Sequence, residues 1–232
     1  MKKSILMLIT LILIICGVGC SKNNNQSLEL YNNVLDDPTN AYFTSEPVKL
    51  EDLKTMALAG VNSPSAMNSQ PWHFTIVNNK SKLEKIGSVM KEMMGNMKPP
   101  AGMKPGNGPT TNVNEEARKA GKIAPAKADI STVPACIIIS CKKGNEYDAG
   151  LATTNISQMA RLLGYATKIV SSPKEAIKTD EMKNEYGVPD DMDVVGVVLI
   201  GKKDESITPD FDGYTSATVR NDFDEMVSII QD

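Results

Sequence analysis

Ten consecutive residues hold the densest set of groups able to meet a small polar ligand: Ser63-Pro64-Ser65-Ala66-Met67-Asn68-Ser69-Gln70-Pro71-Trp72. Short hydroxyls, two side-chain amides and a Pro-Trp stop are packed into one turn. Such a turn offers compact donors, acceptors and backbone N–H groups to something planar and polar. Ser and Asn also favour plain capped turns before a strand, so the loop by itself leaves a purely structural alternative open. Other reactive constellations are scarce. The chain has a single histidine, His73, and neither a Ser/His/Asp nor a Cys/His set can be assembled from it. That counts against a hydrolase. With one histidine and no Cys-x-x-Cys, no metal site is expected. His73 and Trp72 are read as structural residues that pack beside the loop.

The elements that must hold this turn follow from periodicity. Leu50, Leu53, Met56, Ala57 and Gly60 recur at helical spacing, which predicts a helix over 49–59 just before the turn. His73 to Val77 is a short β-branched and aromatic strand just after it. A second helical period runs from Lys82 to about Met94, its methionines read as packing residues. Val133 to Cys141 is a continuous apolar run, fit for a strand buried on both faces. Cys136 and Cys141 lie in that run about 16 Å apart along a strand, too far to bridge each other, so both are expected as buried free thiols. Asp148 to Leu163 is the strongest helix, with Leu151, Ala152, Asn155, Ile156, Met159, Leu162 and Leu163 on one face and Gly164 as its stop. Residues 174–186 read as a weaker helix opened by Pro173, residues 192–200 as a third strand, and residues 222–230 as a short terminal helix. Between them, residues 98–130 are broken by prolines and glycines and read as an irregular insert or lid, with one or two helical turns over 115–122. This order is an α+β or α/β plan with a central sheet covered on both sides.

The 232-residue chain opens with Lys2 and Lys3, an apolar run from Ile5 to Ile15, and Gly17-Val18-Gly19-Cys20. This pattern is a secretory signal over 1–19 ending in small residues before a cysteine. It resembles a bacterial lipobox, which makes Cys20 the lipidated first residue of the mature chain. An apolar run of about 11 residues is too short to span a bilayer as a helix. Residues 20–44 then read as the lipidated cysteine and a polar, flexible tether, and residues 45–232 as one domain with a core of its own. Removing Lys2 and Lys3 from 25 basic residues leaves 23 against 28 acidic ones, a net charge of −5 for the mature chain. With no basic stripe, nucleic acid is not an expected partner. Membrane attachment is expected through the lipid, on the extracytoplasmic face of the cell membrane.

Three segments resemble the nitroreductase family in order and separation. The first is the Ser63 to Trp72 loop, close to the family's Pro-Ser-x-x-Asn-x-Gln-Pro-Trp. The second is Asp148-Ala149-Gly150 through Leu163-Gly164-Tyr165, similar to the family's long central helix. The third is Tyr186-Gly187-Val188-Pro189 followed by the strand Val194 to Ile200 and Gly201-Lys202. The resemblance implies an α+β fold with a central, mostly antiparallel sheet flanked by helices. It implies a homodimer binding FMN at the subunit interface. It further implies electron transfer from NAD(P)H or another donor to nitroaromatic, quinone or similar acceptors by a ping-pong flavin mechanism. In such an enzyme no side chain need be catalytic, since flavin N5 carries the chemistry. The resemblance assigns cofactor contact to Ser63, Pro64, Ser65, Asn68 and Gln70, to Ile169 and Val170 after the long helix, and to Arg220 on the phosphate. One departure is plain. The family opens its domain with an Arg-x-Ser-x-Arg segment, and Phe43 to Lys49 contains no arginine. Lys49, Arg161 or Lys168 is the available substitute. A non-catalytic flavin- or small-ligand-binding lipoprotein of the same fold is the alternative that this departure motivates.

Overall fold

Among the described residues, the two most apolar runs lie side by side as the central strands of one sheet. Strand β2 (Ala135–Cys141) is buried at every position. It pairs antiparallel with β4 (Asp193–Gly201) on one side and with β1 (Trp72–Val77) on the other. Strand β3 (Ala166–Val170) pairs antiparallel with β4, so the sheet order is β1-β2-β4-β3. The computed structural model describes residues 43–96, 130–204 and 223–231, all within the unit Pro38–Asp232. The signal segment, Cys20 and the tether up to residue 42 lie outside the described residues. So do residues 97–129 of the insert, the helical turns expected over 115–122, and Arg220.

Side chains alternate across a strand, and here both faces are covered. Cys136 and Ile138 of β2, with Val197 and Leu199 of β4, join one core. That core is closed by Leu83 and Ile86 of helix α2 (Lys80–Asn96), by Ile177, and by Met182 of α4 (Asp180–Glu185). Ala135, Ile137 and Ile139, with Val198 and Ile200, join the other. Helix α1 (Leu50–Val61) contributes Leu53 and Met56 to it, and α3 (Glu146–Leu162) contributes Ile156 and Ala160. Each fully buried isoleucine or leucine contributes about 1.5–3 kcal/mol, so β2 is the element on which the fold most depends. The result is an α+β layer arrangement with an antiparallel sheet between helices, as the resemblance implied.

Four local readings are corrected. The segment expected as one helix over 174–186 is split into a 3-10 turn (Ser172–Glu175) and α4. Thr179 divides them: its hydroxyl accepts from the Met182 amide, a cap that starts a new helix. The terminal helix contracts to the single turn α5 (Phe223–Met226). Phe223, Met226 and Ile230 are exposed, and a short helix without a packing surface is marginal in water. Residues 166–170, to which the sequence assigned no element of their own, form β3. Finally, the core face of α3 is made of Ala149, Ala152, Thr153, Ile156, Ser157 and Ala160, whereas Leu162 and Leu163 are partly exposed. Small residues are needed there because α1 and the sheet approach closely. A Cβ added to Gly60 of α1 would lie 2.8 Å from two carbons of Ile156.

Candidate cofactor-binding loop

The loop of residues 62–71 leaves α1, makes one 3-10 turn (Ala66–Asn68) and enters β1. Its backbone is unusual. Met67, Asn68 and Gln70 have φ of 52°, 55° and 47°, the left-handed region that costs roughly 1–2 kcal/mol for a residue with a Cβ. Asn tolerates it best, while Met and Gln do not. Three such residues in four positions persist only where surrounding contacts hold them, a pattern that gathers at ligand sites.

Those contacts are specific. The Asn155 side-chain amide on α3 donates to Ser63 Oγ at 2.7 Å, and Ser63 Oγ donates to the Ala59 carbonyl at 3.3 Å. The Ala66 amide donates to Asp148 Oδ2 at 3.4 Å. Within the loop, the Gln70 amide donates to Ser65 Oγ at 3.0 Å, and the Gln70 side chain donates to the Asn68 carbonyl at 3.4 Å. The residues named from sequence therefore separate by position. Ser63 is buried and committed to its own chain, so it acts as an anchor. Ser65 is half-buried and braces Gln70. Pro64, Asn68 and Gln70 are exposed, and so is Met67, at 99%. Asn68 and Gln70 thus stand at an exposed tip over a hydrogen-bonded base.

Trp72 and His73 continue into the sheet. Trp72 is buried and stacks on Phe74, ring centroids 6.2 Å apart, the packing part that the sequence suggested. The His73 carbonyl accepts a hydrogen bond from Ser140 Oγ, tying β1 to β2 beyond the backbone ladder.

Ile169 and Val170 are elsewhere. They sit on β3, paired with Val198 and Val197, and Ile169 is 48% exposed. The loop leads into β1 at the opposite edge of the sheet. Three strand spacings separate these edges, about 14 Å, so one chain does not bring the two predicted contact sets together.

A third group lies where α3 ends. Gly164, with φ +76°, turns the chain, and the Lys202 ammonium donates to the Gly164 carbonyl at 2.9 Å. The same ammonium lies 4.4 Å from the Tyr165 ring centroid. The Tyr165 hydroxyl donates to Asp52 of α1 at 2.7 Å; burial, then this carboxylate, push its pKa up. Lys49 is exposed at the start of α1. Sequence reasoning missed that Lys202 and Tyr165 join the ends of α1 and α3. The only signal was the Gly-Lys that closes β4.

The model of the nitroreductase family matches residues 42–202. The chain belongs to the nitroreductase family. A relative from Archaeoglobus fulgidus, named by assignment as an NADH dehydrogenase/NAD(P)H nitroreductase, is 25% identical over 164 residues, covering 70% of this chain and 79% of the relative. Two nitroreductases crystallised with bound FMN share the fold. That of Desulfitobacterium hafniense is 17% identical with a TM-score of 0.66, covering 88% of this chain and 98% of that one. That of Bacteroides fragilis is 20% identical with a TM-score of 0.61, covering 83% and 97%. Within the nitroreductase match fall the loop, α3 and β3, hence every sequence-predicted contact except Arg220.

Proposed function

We propose that this chain is an FMN-dependent oxidoreductase whose site is completed by a second copy of itself. The observation that carries the reading is the loop: an exposed pair of amides, Asn68 and Gln70, held in left-handed backbone over a base anchored to α3. Residues present in the chain suit a flavin. Side-chain amides donate and accept against the ring's N3–H and carbonyl edge, and Pro64 and Ser65 are small enough to allow close approach. When bound, FMN supplies hydride chemistry at N5, linking NAD(P)H or another donor to a nitroaromatic, quinone or similar acceptor in ping-pong order.

The protein's own contribution is to bind, orient and exclude water. Asn68 and Gln70 fix the ring edge, and Ser65 keeps Gln70 in place. Ile169 supplies apolar surface from the β3 edge. Since the loop and β3 lie at opposite edges of one sheet, a composite site takes the loop from one chain and β3 from its partner. Apolar side chains left exposed in the single chain favour such a homodimer: Leu50, Leu58 and Val61 on α1, and Phe223, Met226 and Ile230 at the C-terminal end. For the phosphate, the exposed Lys49 and Arg220 are the proposed partners. We place the protein on the extracytoplasmic face of the membrane through lipidated Cys20. NAD(P)H is a cytosolic currency, so a quinol or redox protein is an equally suitable donor there.

The test is direct. The purified mature chain should be yellow, or become so when its apoprotein is titrated with FMN. NADH, NADPH or dithionite should bleach the flavin band, and a nitroaromatic should restore it. Sedimentation should give twice the chain mass. A colourless protein that FMN does not reconstitute refutes the reading. Flavin binding without turnover by any donor favours the non-catalytic alternative.

A further inference from the structure

We infer that Asp148 is a positioning residue that sets the conformation of the cofactor-contacting loop, with Asn155 as its second post. The loop's ligand rests on the FMN reading above, but the geometry does not. Asp148 is 7% exposed and is the one buried carboxylate among the described residues. A carboxylate is rarely kept in an interior unless it is bonded there. Its Oδ2 accepts from the Ala66 amide, and Ala66 opens the 3-10 turn that carries Met67 and Asn68. Asn155 stands seven residues further along α3, two helical turns, hence on the same face. From there it holds Ser63 Oγ. One helix face thus grips the loop near its start, at Ser63, and at its turn, at Ala66.

The arrangement is directional. Asp148 lies in the first turn of α3, where the helix dipole favours a negative charge, and among the described residues it offers that charge to the Ala66 backbone N–H. Fixing the Ala66 amide fixes the plane of the peptide from which the two left-handed residues depart. The exposed tip, Asn68 to Gln70, then has one orientation available instead of several. Asp148 acts through the Ala66 amide.

The experiment uses the full mature chain and three variants, Asp148→Ala, Asp148→Asn and Asn155→Ala. Amide hydrogen exchange is followed on a fragment covering residues 64–70 and on fragments of β2 and β4. FMN affinity of each apoprotein is measured by quenching of flavin fluorescence. Asp148→Ala should speed loop exchange about tenfold and weaken FMN about tenfold, the usual scale for losing a hydrogen bond to a charged group. Exchange in β2 and β4 should not change. Asp148→Asn keeps an acceptor oxygen and should restore both quantities to within about threefold of the parent. Asn155→Ala should move the same readouts in the same direction, and it decides the matter if Asp148→Ala does not fold. Loop exchange equal to the parent's, or a uniform acceleration in loop and strands alike, overturns the inference. If the parent takes up no FMN, the flavin reading fails alone, and loop exchange still decides the role of Asp148.

Discussion

Replacing Gly60 by alanine should destabilise the protein, although helix interiors generally favour alanine over glycine. The perturbation is one methyl group. An ideal Cβ at position 60 lies 2.8 Å from both Cδ1 and Cγ1 of Ile156 and 3.1 Å from Cε2 of Phe74. Ile156 is fully buried, so it can give way only by displacing its packed neighbours. Overpacking of this kind costs about 1–3 kcal/mol, and the better helix propensity of alanine returns up to about 1 kcal/mol. The net expectation is about 1–2 kcal/mol of lost stability. Urea unfolding followed by circular dichroism, at one fixed protein concentration, measures it as a lower midpoint with an unchanged slope. The cycle with Ile156→Ala isolates the cause. That variant alone should cost about 2–5 kcal/mol. In its background the added methyl enters vacated space, so Gly60→Ala should become neutral or stabilising there. Gly60→Ala at parental stability, or an equal loss in both backgrounds, would refute the steric argument.

Gly164→Ala should cost about 1 kcal/mol in the same assay, because φ +76° is strained for a side chain; the nearest obstacle to a Cβ is Lys202 Nζ at 3.6 Å, so the loss reflects backbone strain rather than a clash. Burial pushes the Cys136 thiol up to about 12; burial, then the Glu146, Asp193 and Asp148 carboxylates, push Cys141 up to about 11. Peptide mass mapping should therefore find neither labelled by iodoacetamide in the native protein at about pH 8, and both labelled in denaturant, where thiols return to a pKa of about 8.5. Glu185 is held below the usual carboxylate range by hydrogen bonds from the Lys82 and Lys85 ammonium groups. A depressed carboxyl stabilises the fold above its unfolded pKa and loses that contribution as pH falls through the folded one. Glu185→Gln should thus melt below the parent near neutral pH, with the gap closing as pH falls below the ordinary glutamate pKa of about 4.3.

How much was legible in the sequence depended on whether a segment's partners are its neighbours. The runs Ala135–Cys141 and Asp193–Gly201 announced themselves because a strand buried on both faces must be apolar throughout. β3 did not, though Thr167, Ile169 and Val170 are β-branched. Only one of its side chains is buried, and that one is a threonine whose hydroxyl meets Ser157 at 2.7 Å. Apolar periodicity does not register a face finished by a hydroxyl pair. The face of α3 was misjudged for a related reason. Leucine density pointed to Leu162 and Leu163, while the tight contact with α1 selects alanines. At the candidate site, the polar types in Ser63 to Gln70 were readable as a cluster. Their supports were not, since Asp148 and Asn155 lie 82 and 92 positions from the groups they hold.

The loop's geometry and the packing of α1 on α3 are consequences of one contact. Residue type does not favour left-handed backbone at Met67 or Gln70, so contacts must hold it: Ser65 braces Gln70 from within the loop, and α3 fixes the loop at Ser63 and Ala66. For Asn155 to reach Ser63 at 2.7 Å, α1 must approach α3 closely, and the missing side chain at Gly60 permits that approach. The Ser63 amide donates to the Gly60 carbonyl at 3.1 Å, so the residue that allows the approach also begins the loop. A displacement of a few tenths of an ångström at Gly60 is therefore carried directly to Ser63. The Gly60→Ala variant should accordingly lose protection from exchange in the loop at denaturant concentrations too low to unfold the sheet. A substitution in the core under β2, such as Ile138→Ala, should lower global stability and leave that local protection in place. The two variants, matched for midpoint, separate a site held by the α1–α3 contact from one that merely shares the stability of the whole domain.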